Sequence, residues 1–303
     1  MLTSTSSPTV ALRRLEWDSL HFGVPVAELP SPDLNDEDLR NVLTTARAEG
    51  LHLVYWAAHR ERTLPADLLV EFHGLAVNHR VKFVAHLNDL LQNQTLASGA
   101  ASAPRFAAGL ATTGQNATTG QSATTGGLTP PRSPSLSSAR SASYRIGEFP
   151  RGPASRELLQ LSIVAGGNSR FQVDPRIPAD KFRELYEVWM NRSTLRELAD
   201  VVLVATPTDA SDDFVGVITL SATEGAGQIG LLAVREDHRG QGVATLLMAA
   251  AHDWLRRQDV AQTSVVTQLE NLAACGLYSR WNYEIVEVRK WFHFWCQDAR
   301  DVE

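Results

Sequence analysis

The 303 residues are 44% apolar and carry a net charge of −6, enough apolar mass to bury one large core or two moderate ones. No apolar run reaches membrane-spanning length, and the N-terminal stretch lacks the basic and apolar blocks of a signal peptide, so a cytoplasmic protein without membrane insertion is expected. No basic stripe with interleaved aromatics speaks for nucleic acid. Cys275 and Cys296 read as reduced core thiols rather than a disulfide, and the scattered histidines have no metal-ligand spacing, so no metal is expected.

In chain order, residues 24–29 and 51–58 read as strands around a helix over 36–48, with Gly50 at the position that ends it. Residues 1–92 thus form a small N-terminal α/β domain. Residues 93–143 are dominated by Ala, Ser, Thr, Gly and Pro and contain the near repeat GQNATTGQSATTGG. Such a composition cannot offset its ordering entropy by burial, and the segment reads as a disordered insertion. Residues 144–303 form the larger domain. A strand near 144–149 precedes helices near 154–165 and 179–191, the second presenting Phe182, Leu185, Tyr186 and Trp189 on one side.

Strands follow at 201–206, 214–220 and 228–234. A helix over 243–257 has apolar residues at 243, 246, 247, 250, 251, 254 and 255, then come a strand near 263–267 and a helix over 272–281. The segments 284–288 and 290–295 read as a closing hairpin.

The stretch LLAVREDHRGQGVATLL, residues 231–247, joins a buried strand to an apolar helix through a basic turn with R-x-x-G-x-A spacing at Arg239, Gly242 and Ala244. A match this loose arises by chance about 0.3 times in such a chain, so context must decide. The context is a helix N-terminus whose amides and macrodipole favour an anion, with Gly240 and Gly242 allowing positive φ and close approach. A pyrophosphate suits that place, with Arg235, His238 and Arg239 flanking it. In VVTQLENLAACGLYSRWNYEI, residues 265–285, Asn271 is a good N-cap. Tyr278 follows seven positions later, about 700° of helical rotation, so both side chains project within about 20° of one direction. Gly276 inside this helix costs about 1 kcal/mol against alanine without an evident reason.

These two constellations resemble the GNAT family of acetyl-CoA-dependent N-acetyltransferases. The resemblance implies a mixed, mainly antiparallel sheet flanked by helices. It implies acetyl-CoA held by the backbone of Leu232, Ala233 and Val234, by the turn Arg239, Gly240, Gln241, Gly242, Val243, Ala244 and Thr245, and by Asn271. Tyr278 would protonate the departing thiolate. The segments LEWDSLHFGVPVAEL, SRFQVDP, LYEVWMNRS, ADVVLVAT and VVTQLENLAACGLY resemble the members of that family that act on a dTDP-linked 4-amino-4,6-dideoxyhexose.

That likeness implies an amino-sugar nucleotide as small-molecule partner, allows a homodimer, and brings Glu16, Asp18, Arg170 and Asp174 forward as substrate-binding residues. For Arg170 a solvated loop charge is an equally weighted reading. In the implied chemistry a neutral amine attacks the thioester directly, with the oxyanion near the amides of residues 232–234. The base stays open between Glu16, Asp18, Asp174, Glu270 and a water chain, and a covalent route through Cys275 lacks a nearby histidine to activate the thiol. Acetylation of a protein N-terminus or small amine, and a non-catalytic acetyl-CoA-binding module, remain as alternatives.

Overall fold

A computed structural model describes residues 11–87, 144–209 and 213–297. The expected insertion at 93–143 lies outside the described residues.

The N-terminal helix forms where its signals lie. In α2 (Asp36–Ala48) the Asn35 side chain accepts the Asp38 N–H, three acids fill the first turn, and Leu39, Leu43 and Ala46 are buried at i, i+4 and i+7. Gly50, at φ +73°, then turns the chain into β3 (Leu53–His59), which pairs in parallel with β2 (Val26–Leu29). Beyond these lie β1 (Arg13–Arg14), α1 (Glu16–Phe22), α3 (Ala66–Glu71) and the long β4 (Gly74–His86).

The second part begins with β5 (Tyr144–Glu148), α4 (Arg156–Ala165), the short α5 (Arg170–Val173) and α6 (Ala179–Thr194). It continues through β6 (Val201–Pro207), β7 (Gly216–Thr223), β8 (Ala226–Val234) and α7 (Val243–Arg257), and ends with β9 (Gln262–Gln268), α8 (Leu272–Arg280) and β10 (Glu284–Trp295). The described strands form one ten-stranded sheet in the order β1-β2-β3-β10-β4-β9-β8-β7-β6-β5. The N-terminal strands therefore continue the sheet of the C-terminal part, with β4 lying between β9 and β10.

The expected hairpin at 284–295 is instead this single strand β10. No turn-forming residue interrupts Val288, Arg289 and Lys290, and Arg289 pairs with His59 on one side and Arg80 on the other.

Four apolar clusters cover the sheet on both faces. On one face, α2 and α3 pack with Trp56 and Phe292, and α7 and α8 pack with Phe83, Ile218 and Val265. On the other, α4 and α6 close over Val202, Val217 and Leu231, while Phe22 of α1 and Phe171 of α5 meet Tyr55 and Trp291.

One irregularity in β8 sets the geometry of the centre. Ile218 of β7 faces Leu232 and Leu220 faces Ile229, so Thr219 alone stands opposite Gly230 and Leu231. The extra residue is a β-bulge, and it flips the alternation: Ile229 packs under α7, whereas Leu231 and Ala233 pack under α4 and α6. The Leu231 N–H, displaced from the ladder, donates to Thr219 Oγ1 at 2.8 Å. Gly230 is required there, because a Cβ would stand 2.6 Å from the same hydroxyl oxygen.

Thr219 is 1% exposed. Thr219→Val keeps the shape but leaves the Leu231 N–H unpaired, and it should lower unfolding stability by about 1–3 kcal/mol, read as a lower urea midpoint at unchanged slope. An unchanged midpoint would show that the hydroxyl does not hold the bulge.

Candidate active site

Immediately after the bulge the sheet opens. Strands β8 and β9 pair in parallel from Ala226↔Gln262 to Ile229↔Val265 and no further. Strand β9 continues beside β4, with Gln268 opposite Arg80, while β8 continues beside β7, with Val234 opposite Gly216. The backbone of residues 230–234 on the β9 side thus has no strand partner, and its polar groups line a gap in the middle of the sheet.

The turn that follows β8 closes one end of the gap. Gly240 and Gly242 have φ of +74° and +85°, and a Cβ at either would meet nothing within 4 Å. Gly242 is the N-cap of α7 and offers no side-chain cap, so the first-turn amides of Val243, Ala244 and Thr245 point into open space. The positive end of the α7 macrodipole adds to their pull on an anion.

The turn is braced from outside by a chain of hydrogen bonds with one consistent direction. Arg235 Nη2 donates to His238 Nε2 at 2.7 Å, His238 Nδ1 donates to Tyr144 Oη at 2.8 Å, and Tyr144 donates to Gln241 Oε1 at 2.6 Å. Gln241 Nε2 closes the chain on the Asp237 carbonyl at 2.9 Å. Arg235 also pairs with Asp213 and Asp237, whose hydrogen bonds push its pKa further up. These side chains hold the turn's shape. Arg239 differs, touching only the Val234 carbonyl at 3.1 Å and forming no ion pair among the described residues.

A cavity of about 620 Å³ lies over this turn and is lined by Leu232, Ala233, Val234, Arg239, Gly240 and the α7 N-terminus. Of the run expected from Arg239 to Thr245, Gln241 alone is absent from the lining, because its side chain serves the brace. A second cavity of about 340 Å³ lies on the far side of the gap. Ala165, Leu232, Asn271 and Ala274 line both, so the two spaces adjoin there.

Asn271 reaches this junction as the N-cap of α8, its Oδ1 accepting the Ala274 N–H at 3.2 Å. Tyr278, one turn beyond Ala274, lines the second cavity. Its ring is 3% exposed and packs against Phe83 and Tyr283 at 5.7 and 5.8 Å. Burial pushes the phenol pKa up and keeps it protonated, and its hydroxyl has no hydrogen-bond partner among the described residues.

The remaining candidates separate. Glu16 is exposed in the first turn of α1 and lies outside both cavities. Asp18 lines a smaller neighbouring hollow, where burial raises its pKa against the pull of Arg170. Asp174 is 1% exposed and accepts from His293 Nδ1 at 2.7 Å, Trp295 Nε1 at 2.9 Å and the Arg176 N–H at 3.0 Å. Burial opposes its charge, but these donors hold its pKa below the usual carboxylate range. Glu270 accepts from the backbone and ring of His79 within β4.

Arg170 is not a solvated loop charge: its guanidinium lies over the rings of Tyr55, Phe171 and Trp291 and lines the second cavity. Cys275 lies outside both cavities with its pKa raised by burial, which keeps the thiol un-ionised. Gly276 has its bare face covered by Arg280, whose Nη1 would lie 3.4 Å from an added Cβ. Among the described residues no group of three or more His, Cys, Asp or Glu is placed to hold a metal, and no helix is long and apolar enough to cross a membrane.

Some lining residues carried no signal in the sequence. Asn78 and Arg80 come from β4, Trp291 from the middle of β10, and Arg280 from the end of α8. The first three become visible only when β4 and β10 are known to lie side by side beyond β9.

Residues 172–283 match the model of the Acetyltransferase (GNAT) family. N-alpha-acetyltransferase 30 of Saccharomyces cerevisiae is 31% identical over 73 residues, 24% of this chain and 40% of that protein. Its Schizosaccharomyces pombe counterpart is 31% identical over 75 residues, 23% of this chain and 50% of that protein. The chain therefore spans half or less of the length of these curated relatives. A GCN5-related N-acetyltransferase from Sphaerobacter thermophilus superposes with a TM-score of 0.51 at 17% identity, covering 92% of this chain and 75% of that one. A conserved protein of unknown function from Staphylococcus epidermidis superposes at 0.52 with 11% identity, covering 97% and 96%. Residues 172–283 thus resemble the GNAT acetyltransferase family, and the chain as a whole shares the fold of these solved structures.

Proposed function

We propose that the chain is an N-acetyltransferase that moves an acetyl group from acetyl-CoA to a primary amine by direct attack. The observation that carries this reading is the meeting of two cavities at Ala165, Leu232, Asn271 and Ala274, one floored by an anion-seeking helix terminus and the other faced by a buried phenol. The parts fit the coenzyme. Arg239 and the amides of Val243, Ala244 and Thr245 suit its pyrophosphate, and the gap-facing backbone of β8 along Leu232, Ala233 and Val234 suits the amides of its pantetheine arm. Acetyl-CoA supplies the acyl thioester.

The amine arrives from the second cavity, and the β8 amides that face the gap stabilise the charge that grows on the carbonyl oxygen. Tyr278 then gives its proton to the departing sulfur. A phenol of raised pKa donates uphill to a free thiolate, so the transfer must accompany C–S cleavage. The described residues lining the second cavity include no Asp, Glu or His. The acceptor therefore loses its proton to water.

As acceptor we propose a nucleotide-linked amino sugar of the dTDP-4-amino-4,6-dideoxyhexose type. Residues 15–29 and 169–175 resemble enzymes with that substrate, and the cavity is walled by Asn78 and Arg80 of β4 and by Trp291 of β10. Such walls suit a compact sugar better than the open groove that a peptide needs.

Tyr278→Phe should lower kcat by about 10²-fold with little change in acetyl-CoA affinity. Because the lost hydroxyl has no partner among the described residues, the thermal midpoint should hold; near-wild-type turnover would remove Tyr278 from the mechanism. Gly242→Val places a β-branched residue at positive φ and fills the cradle. It should weaken acetyl-CoA binding at least 10-fold and cost about 1–2 kcal/mol of stability. Across acceptors of graded amine pKa, log(kcat/KM) should rise with pH at unit slope to a plateau set by each amine. A limb fixed at one pH for all acceptors would reveal a protein base.

A further inference from the structure

We propose that Arg170 is the anchor for an oxyanion on the acceptor, so that the second cavity selects amines carrying a phosphate or carboxylate group. The inference rests on reading that cavity as the acceptor site. The guanidinium carbon of Arg170 lies 3.9 Å from the ring centre of Tyr55, 4.5 Å from that of Phe171 and 4.1 Å from that of Trp291. Three aromatic rings surround the guanidinium and offer it their π-faces, which do not replace an anionic partner. Among the described residues Arg170 forms no ion pair, and its Nη1 is buried without a hydrogen-bond partner.

Asp18 and Glu28 make their charges felt without coming within ion-pair distance. A buried cation without a partner is costly, and burial depresses its pKa. Asp18 acts on the Tyr55 phenol beneath the guanidinium, and His293, whose ring lies 4.7 Å from that of Tyr55, is turned to Asp174, so neither ring gives Arg170 an anionic partner. The second cation at the cavity, Arg80, is already paired with Glu287 at 3.2 Å. An incoming oxyanion would give Arg170 the two-point partner that its planar fork is built to hold. The anchored end of the acceptor would then be separate from its amine, which must reach the gap beside Tyr278.

The test titrates the full chain, saturated with coenzyme A so that the first cavity is filled, with dTDP, thymidine and malonate. Wild-type protein should bind dTDP at least 10-fold more tightly than thymidine. Arg170→Gln should erase that preference without changing affinity for coenzyme A, and Arg170→Lys, which keeps the charge and loses the fork, should weaken dTDP at least 3-fold. Equal wild-type affinity for dTDP and thymidine would overturn the proposal, as would an unaltered preference in the lysine variant if the glutamine variant fails to fold. Arg170-dependent binding of malonate without a preference for dTDP would support the anchor, assign it to a carboxylate acceptor, and contradict the nucleotide-sugar reading. Failure of the wild type to bind coenzyme A would count against the proposed activity alone, since the same titration without coenzyme A still reads the anchor.

Discussion

The separation of β8 from β9 beyond Ile229 and Val265 is the constraint on which the rest of the structure depends. A sheet interior normally has no free backbone, because each unpaired amide or carbonyl there forfeits a hydrogen bond. Here the two central strands stay attached to different partners, β7 and β4, and part between them. The bulge at Gly230 and Leu231 makes the departure tolerable by giving the displaced Leu231 N–H to Thr219. Once the strands part, the gap joins the two faces of the sheet. That is how Tyr278, packed with the α7 and α8 core, lines a cavity that also reaches Trp189 and Trp291 on the opposite side.

Charge is distributed with similar economy. The chain carries a net charge of −6, yet a cradle for phosphate needs local donors rather than a positive average. Two acidic residues beside the turn, Asp213 and Asp237, are spent on Arg235, which shapes the loop. Arg239 is left without an ion pair among the described residues, beside backbone amides. The same separation of bracing from binding marks the second cavity, where Arg80 pairs with Glu287 and Arg170, among the described residues, forms no ion pair and lies over aromatic faces.

How much of this was legible in the residues depended on range. Local signals were accurate: helix bounds at Asp36–Ala48 and Val243–Arg257, the left-handed glycines of the turn, and the Asn271 cap all follow from neighbours in sequence. The strand β4 was overlooked, although Val81, Phe83 and Ala85 alternate as a half-buried strand should. That omission hid Asn78 and Arg80, and it made β10 look like a hairpin, since a long aromatic segment with no known neighbours invites pairing with itself. Asp174 shows the opposite limit. A carboxylate in a suggestive segment looks like a ligand for substrate until its partners His293 and Trp295, more than a hundred residues away, are seen to bury it. The placement of Arg170 over the rings of Tyr55 and Trp291 was invisible for the same reason.

The central claim is that gap-facing amides of β8 and unpaired amides of the α7 N-terminus grip the coenzyme, and amide hydrogen exchange with and without acetyl-CoA tests it most directly. Exchange should slow on binding within residues 230–234 and 242–246, with no comparable change at the far sheet edge in β1 and β2. Unaltered exchange across both segments, in folded protein at saturating acetyl-CoA, would contradict the account.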